Sequence, residues 1–186
     1  MSETEPTLTD LWAGFSRGDA KSRDALLSLY YGEFRRIARR MLSGDAERMR
    51  FQPTDLVHEA VIRIIAGAGV AVRDQNHLLS LAARVMRVTL IDEVRKSKAA
   101  KRGSVVTLWP DAHEAAAPAF EIDAFDEALA RLAKVEPEGA RIVELRFFAG
   151  LTLPEIATVT ELSESTVQRR WRTARAWIIK ELKDPD

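Results

Sequence analysis

The chain has 186 residues, 28 Lys and Arg against 28 Asp and Glu, and no cysteine. That length suits one large helical domain or two small ones, and the even charge balance points to no partner by itself. The missing cysteines exclude a disulfide framework and a thiolate metal site. The longest strongly apolar uncharged run, residues 64–72, is far below the roughly 20 residues a membrane span needs. The start, Met1-Ser2-Glu3-Thr4-Glu5-Pro6, is too acidic and polar for a signal peptide. A cytoplasmic protein with no membrane partner is therefore expected. Helical spacing of apolar residues runs through nearly the whole chain and strand-like alternation is almost absent, which predicts an all-α fold.

Leu11, Trp12 and Phe15 form a first short apolar face, ended by Gly18-Asp19. A longer helix is predicted over residues 21–42, with Leu26, Leu29, Tyr30, Phe34, Ile37 and Met41 on one side. Arg35, Arg36, Arg39 and Arg40 share its outer C-terminal half, where cations also suit the helix dipole. Ser43-Gly44-Asp45 breaks it. Phe51-Gln52-Pro53-Thr54-Asp55 then opens a helix whose apolar set is Leu56, Val57, Ala60, Val61, Ile64 and Ile65, ended by Gly67-Ala68-Gly69. His58-Glu59 invites a zinc-protease reading, but residue 62 is Ile where the second histidine belongs. Gly67-x-Gly69 lacks the third glycine and the strand of a dinucleotide loop. No metal and no cofactor are expected.

Arg73-Asp74-Gln75-Asn76-His77 reads as a polar loop before a helix over residues 78–98. Leu78, Leu81, Ala82, Val85, Val88 or Thr89, and Val94 are its inward candidates. Arg84, Arg87, Arg95, Lys96, Lys98, Lys101 and Arg102 face only Asp92 and Glu93 in the segment 84–102. A basic helix of this kind is an electrostatic footprint for nucleic acid, although solvated basic helix ends are common. Residues 103–122 break the pattern with Pro110, Pro118 and Ala115-Ala116-Ala117, and read as a linker. From residue 103 to 130 there are acids at 111, 114, 121, 123, 126 and 127 and no Lys or Arg. Charge is thus segregated: basic, acidic, then basic again.

Phe125, Leu129, Leu132 and Val135 mark the next helix; Ile142, Val143, Leu145, Phe147 and Phe148 mark another, closed by Gly150. Thr152-Leu153-Pro154-Glu155 has the composition of a helix start, a hydroxyl cap with proline in the first turn and a glutamate placed to reach back. A short helix over residues 153–159 follows, then a turn at Glu161-Leu162-Ser163, with Ser163 capping a second helix. There Val167, Trp171, Ala174 and Ile178 repeat as one buried stripe, opposite Ser165, Gln168, Arg169, Arg172 and Arg175. Short helix, tight turn and a helix with a basic outer face make a helix-turn-helix, whose second helix fits a DNA major groove. The alternative is an ordinary helical hairpin with a solvated face. The expected organisation is a helical domain over 1–102, a linker over 103–122 and a helix-turn-helix domain over 123–186.

With these residues in view, the chain resembles the two-domain extracytoplasmic-function group of bacterial sigma factors, over about 10–100 and 125–182. Asp55-Leu56-Val57-His58-Glu59 is similar to the family's D-L-V-Q-E run, with His58 in place of Gln. Arg84-x-x-Arg87 and Asp92-x-x-Arg95 sit where the −10 reading helix carries similar residues, with Val88 at the usual Asn. Ala140-Arg141-x-Val143-x-Leu145-Arg146, Glu155-Ile156-Ala157 and Ser165-Thr166-Val167-x-x-Arg170 resemble the −35 reading domain. The resemblance implies promoter DNA and core RNA polymerase as partners, the latter held through its clamp helices and flap. Asp55, His58 and Glu59 would dock on the clamp. Asn76, His77, Arg84 and Arg87 would contact the −10 element. Ser165 and Thr166 would meet phosphate, and Gln168, Arg169 and Arg172 the −35 base edges.

The family usually has acidic residues just before Asp55, where this chain has Gln52-Pro53-Thr54. A phosphate on Thr54, in the first turn of its helix, would restore negative charge there. Relatives lacking those acids tend to be linked with Ser/Thr kinases, which makes such a kinase a further implied partner. The alternative is that Thr54 only caps the helix. A different class of function also fits the C-terminal half: a helix-turn-helix repressor or activator with an N-terminal sensing or dimerisation domain. No enzyme is expected, since the histidines at 58, 77 and 113 are scattered and neither a nucleophile with a base nor a phosphate loop stands out.

Overall fold

The computed structural model describes residues 6–42, 52–67, 72–99 and 121–183, apart from the side chains of 97–99. The expected breaks at 43–45 and 68–69, most of the linker, and Lys101 and Arg102 lie outside the described residues. Among those described there are helices and turns and no strand.

Helix α1, Leu8–Ser16, starts from a capping box in which Asp10 accepts from the Thr7 N–H at 3.0 Å. Gly18, at φ +82°, turns the chain where a side chain would be strained. Asp19 then caps α2, Ala20–Leu29, by accepting from Ser22 N–H at 2.8 Å. The single helix expected over 21–42 is in fact two, because Tyr30 leaves helical geometry at φ −96°, ψ 8° and α3 begins at Tyr31, running to Met41. Tyr30 stacks on Trp12 with ring centres 5.7 Å apart, and burial holds its phenol above the usual range. The break changes which side of α2 faces inward. Leu26 and Leu27 are buried, and Leu29, expected inside, is 60% exposed.

Helix α4, Pro53–Ala66, buries Leu56, Val57, Ala60 and Ile64 against α3 and α5. Ile65 falls outside that stripe and is 40% exposed, contrary to its place in the expected apolar set. Helix α5 runs from Gln75 to Ala99. It begins three residues earlier than the reading of 73–77 as a loop, because Asp74 caps it by accepting from His77 N–H at 2.9 Å. Of Val88 and Thr89 it is Thr89 that turns inward. Leu79, Ala83, Met86, Leu90 and Ile91 are also buried, a wider arc than one covered face requires. The reason is tertiary: α5 packs on α3 and α4 on one side and on the C-terminal helices on another.

Those helices are α6, Ile122–Val135, and α7, Pro137–Glu144, which continues into a π-helical turn, Leu145–Ala149. Val135, expected inside, lies at the end of α6 and is 70% exposed. Phe125 sits 4.8 Å from Phe147 and edge-on to Phe148 at 5.8 Å between ring centres. Phe125 and Phe148 are at most 1% exposed, and each such ring contributes about 1.5–3 kcal/mol by burial. Gly150 ends the turn in the left-handed region at φ +70°. Helices α8, Leu153–Thr160, and α9, Glu164–Lys183, complete the chain, with α9 lying on α6 and α7.

Candidate nucleic-acid interface

The α8–α9 pair is built by local chemistry. Glu155 accepts from both the N–H and the hydroxyl of Thr152, each at 2.7 Å, and Thr152 Oγ1 accepts in return from Glu155 N–H at 3.4 Å. The backbone bond first, then the hydroxyl, hold the Glu155 carboxyl below its ordinary range, and Arg36 and Arg146 add to this. Glu161, in the left-handed region at φ 59°, makes the tight turn. Ser163 then caps α9 by accepting from Thr166 N–H at 3.3 Å. Val167, Ala174 and Ile178 are buried, and Trp171, half-buried, leans on Phe147 at 6.3 Å.

The other face of α9 is open to solvent. Ser165, Gln168, Arg169 and Arg172 are exposed and Thr166 is half-buried in the first turn. Ser163, Ser165 and Thr166 hydroxyls link within 2.8–3.1 Å, beside the helix N-terminus. Arg175, expected on this face, is half-buried and engaged within the chain. Arg170 points the other way and binds Glu136 and Glu138, the latter at 2.7 Å, tying α9 to the start of α7. An exposed, cationic, amide-bearing face on a helix anchored from behind is the arrangement that direct reading of a major groove requires.

On α4, Asp55, His58 and Glu59 share the outer face with Ile62, which is 59% exposed. Together with Arg63, Thr89, Asp92, Glu93 and Lys96 they line an open groove of about 420 Å³ between α4 and α5. Glu59 pairs with Arg63 at 2.9 Å, and His58 Nε2 lies 3.4 Å from the Tyr31 hydroxyl. The N-cap of α4 is Gln52, whose N–H donates to Asp55 at 2.8 Å. Thr54 is therefore the second residue inside the helix and not its cap. It is half-buried and makes no hydrogen bond to a described residue.

The residues assigned to the −10 element are not gathered on one open surface. Asn76 and His77 are half-buried in the first turn of α5, where Asn76 C=O accepts from the Ser80 hydroxyl at 2.6 Å. Arg84 is exposed and lines a cleft of about 560 Å³ against α6 and α7. Arg87 is only 14% exposed. It donates to Glu144 at 2.8 and 3.1 Å and to Asp126, and its guanidinium stands 5.5 Å over the Phe148 ring. Arg95 approaches the same Asp126 at 3.5 Å. Sequence reasoning had Arg87 in the right segment and missed both of its acids, since a charge partner 39 or 57 positions away leaves no periodic signal.

Among the described residues no group of three His, Cys, Asp or Glu is placed to hold a metal ion, and no helix is long and apolar enough to cross a membrane. A family model described as ECF sigma factor matches residues 5–184 of the chain. No curated protein matches it.

Proposed function

The chain belongs to the ECF sigma factor family, RNA polymerase subunits that initiate transcription at promoter DNA, and from that premise we propose how its parts share the work. Core polymerase and promoter DNA are its partners. The helices before residue 103 form the unit that docks on the clamp helices and reads the −10 element. The helices from 123 onward form the unit that binds the flap and reads the −35 element. The observation that carries the second assignment is the exposed Gln168, Arg169 and Arg172 face on a helix held in place by its cap and by Arg170. Ser165 and Thr166 meet phosphate beside the α9 N-terminus.

Docking on the clamp uses Asp55, His58 and Glu59, with Ile62 as the apolar contact between them. Thr54 regulates that docking. Its position at the second residue of α4 places a phosphate near the unpaired N–H groups of the helix start, where negative charge is favoured. A Ser/Thr kinase would add about 1.5–2 negative charges there, enough to complement a basic partner surface that Gln52-Pro53-Thr54 leaves unmatched. A hydroxyl that is neither the cap nor bonded to a described residue is available for that transfer, at little cost to the helix.

The experiment is capture of core polymerase by the parent, Thr54→Glu and Thr54→Ala chains. Stronger capture by Thr54→Glu than by the other two supports the switch. Equal capture by all three removes it while leaving the sigma function standing.

A further inference from the structure

Arg87 presents a conflict. If α5 is to meet DNA, its central arginine must be free, yet in this structure it is closed inside the contact between the two groups of helices. Two carboxylates and an aromatic face surround it: Glu144 at the end of α7, Asp126 on α6 and Phe148 in the π-helical turn. The acids themselves are only 20% exposed, so water competes weakly for them. Partly buried bidentate pairs of this kind are the ones that hold a geometry, in contrast to solvated surface pairs.

The contact does not stand alone. The Arg40 side chain lies so close to Gly150 that a Cβ there would fall 1.5 Å from its Nη1. Arg36 acts on Glu155 of α8, and Arg73 pairs with Glu161 in the turn before α9 at 3.3 Å. Each of these joins a cation of the first group to a backbone turn or an acid of the second. The buried apolar cluster also runs without a gap from one group to the other. On α9, by contrast, Gln168, Arg169 and Arg172 remain exposed. The closure is therefore asymmetric: it covers the helix assigned to the −10 element and leaves the helix assigned to the −35 element open.

A compact chain of this length has a diameter of about 40 Å. Elements centred at −10 and −35 lie about 25 base pairs apart, about 85 Å along the duplex. One closed body cannot reach both.

We propose that Asp126 and Glu144 form an internal latch that sequesters Arg87 in the free chain, so that the C-terminal helices hold the −10 helix shut until core polymerase pulls the two groups apart. This rests on the sigma reading above and adds a regulatory step to it. The carboxylates imitate the charge of DNA phosphate at the guanidinium, so the same arginine serves the closed and the engaged state in turn. Polymerase binding must supply the free energy of opening. Apparent affinity is then reduced by the fraction of chain that is open.

The test uses the full chain, whose lack of cysteine allows a dye pair on Ser28→Cys and Ala176→Cys. High energy transfer is expected in the otherwise unaltered chain. The double change Asp126→Asn with Glu144→Gln should lower transfer, preserve helical content by circular dichroism, and tighten binding to core polymerase by about tenfold or more. Arg87→Ala should lower transfer equally, which guards against the double variant's failing to fold. Arg131→Gln, which breaks a pair to Glu181 inside the second group, should leave transfer unchanged. Low transfer in the unaltered chain, or transfer that neither opening variant reduces, overturns the latch. Reduced transfer supports it even if core polymerase ignores every variant, a result that would remove the sigma reading instead.

Discussion

Replacing Glu155 by Gln tests how firmly the helix-turn-helix is set by its first cap. The change keeps shape and removes charge from a group that accepts two bonds of 2.7 Å from Thr152. A cap of this type contributes about 0.5–2 kcal/mol, and the exposure of Glu155 places the loss toward the lower half, about 1 kcal/mol. For a chain of this size that corresponds to a fall in Tm of about 2–4 °C at pH 7. The Glu155 carboxyl is lowered in the folded chain, first by the backbone bond from Thr152 and then by its hydroxyl. A carboxyl lowered on folding stabilises above its unfolded pKa and loses that contribution as pH falls through the folded value. The gap between parent and Glu155→Gln should therefore be full at pH 6–7 and shrink in acid, below the ordinary carboxylate value of about 4.5. Thermal melts followed by circular dichroism from pH 7 to 3 measure it. Equal melting at pH 7, or a gap that persists unchanged in acid, would refute the account of the cap.

Gly150→Ala should cost about 1–2 kcal/mol for its left-handed backbone and should also reduce the energy transfer described above, because its Cβ meets Arg40. Gly18→Ala shares the positive φ but faces open space; urea denaturation should show a loss of similar size, with transfer unchanged. Ile142→Ala, at a fully buried site of the C-terminal core, should cost about 2–5 kcal/mol, read from the same denaturation curves. Arg169→Ala with Arg172→Ala should weaken promoter binding by the polymerase-bound chain. Each phosphate that the altered helix no longer neutralises should lower the salt slope by about one unit, measured by anisotropy across a salt series.

The parts of this molecule that local chemistry determines were legible in its sequence. Thr152 and Glu155, Ser163, and the stripe Val167, Ala174 and Ile178 announce their helices within a few residues, and the structure places them so. Gly150 marked the end of its helix for the same reason. What periodicity alone could not place were the helix edges. Leu29, Ile65 and Val135 lie next to the buried stripe, and whether they are covered depends on a neighbour that the local pattern does not describe. Tyr30 broke a helix because its ring found Trp12, a long-range cause. The second buried face of α5, with Met86, Leu90 and Ile91, and the acids around Arg87 belong to the same class: each exists because distant helices close on α5.

The central claim is that this chain directs initiation only as part of a larger enzyme. Run-off transcription from a genomic fragment library, with purified core RNA polymerase and either the parent or the Thr54→Glu chain, tests it most directly. Discrete transcripts are expected only when chain and core enzyme are both present, with promoter fragments bound poorly by the chain alone. No initiation with either form, together with tight occupancy of a DNA site by the isolated chain, would contradict the account and favour a repressor or activator.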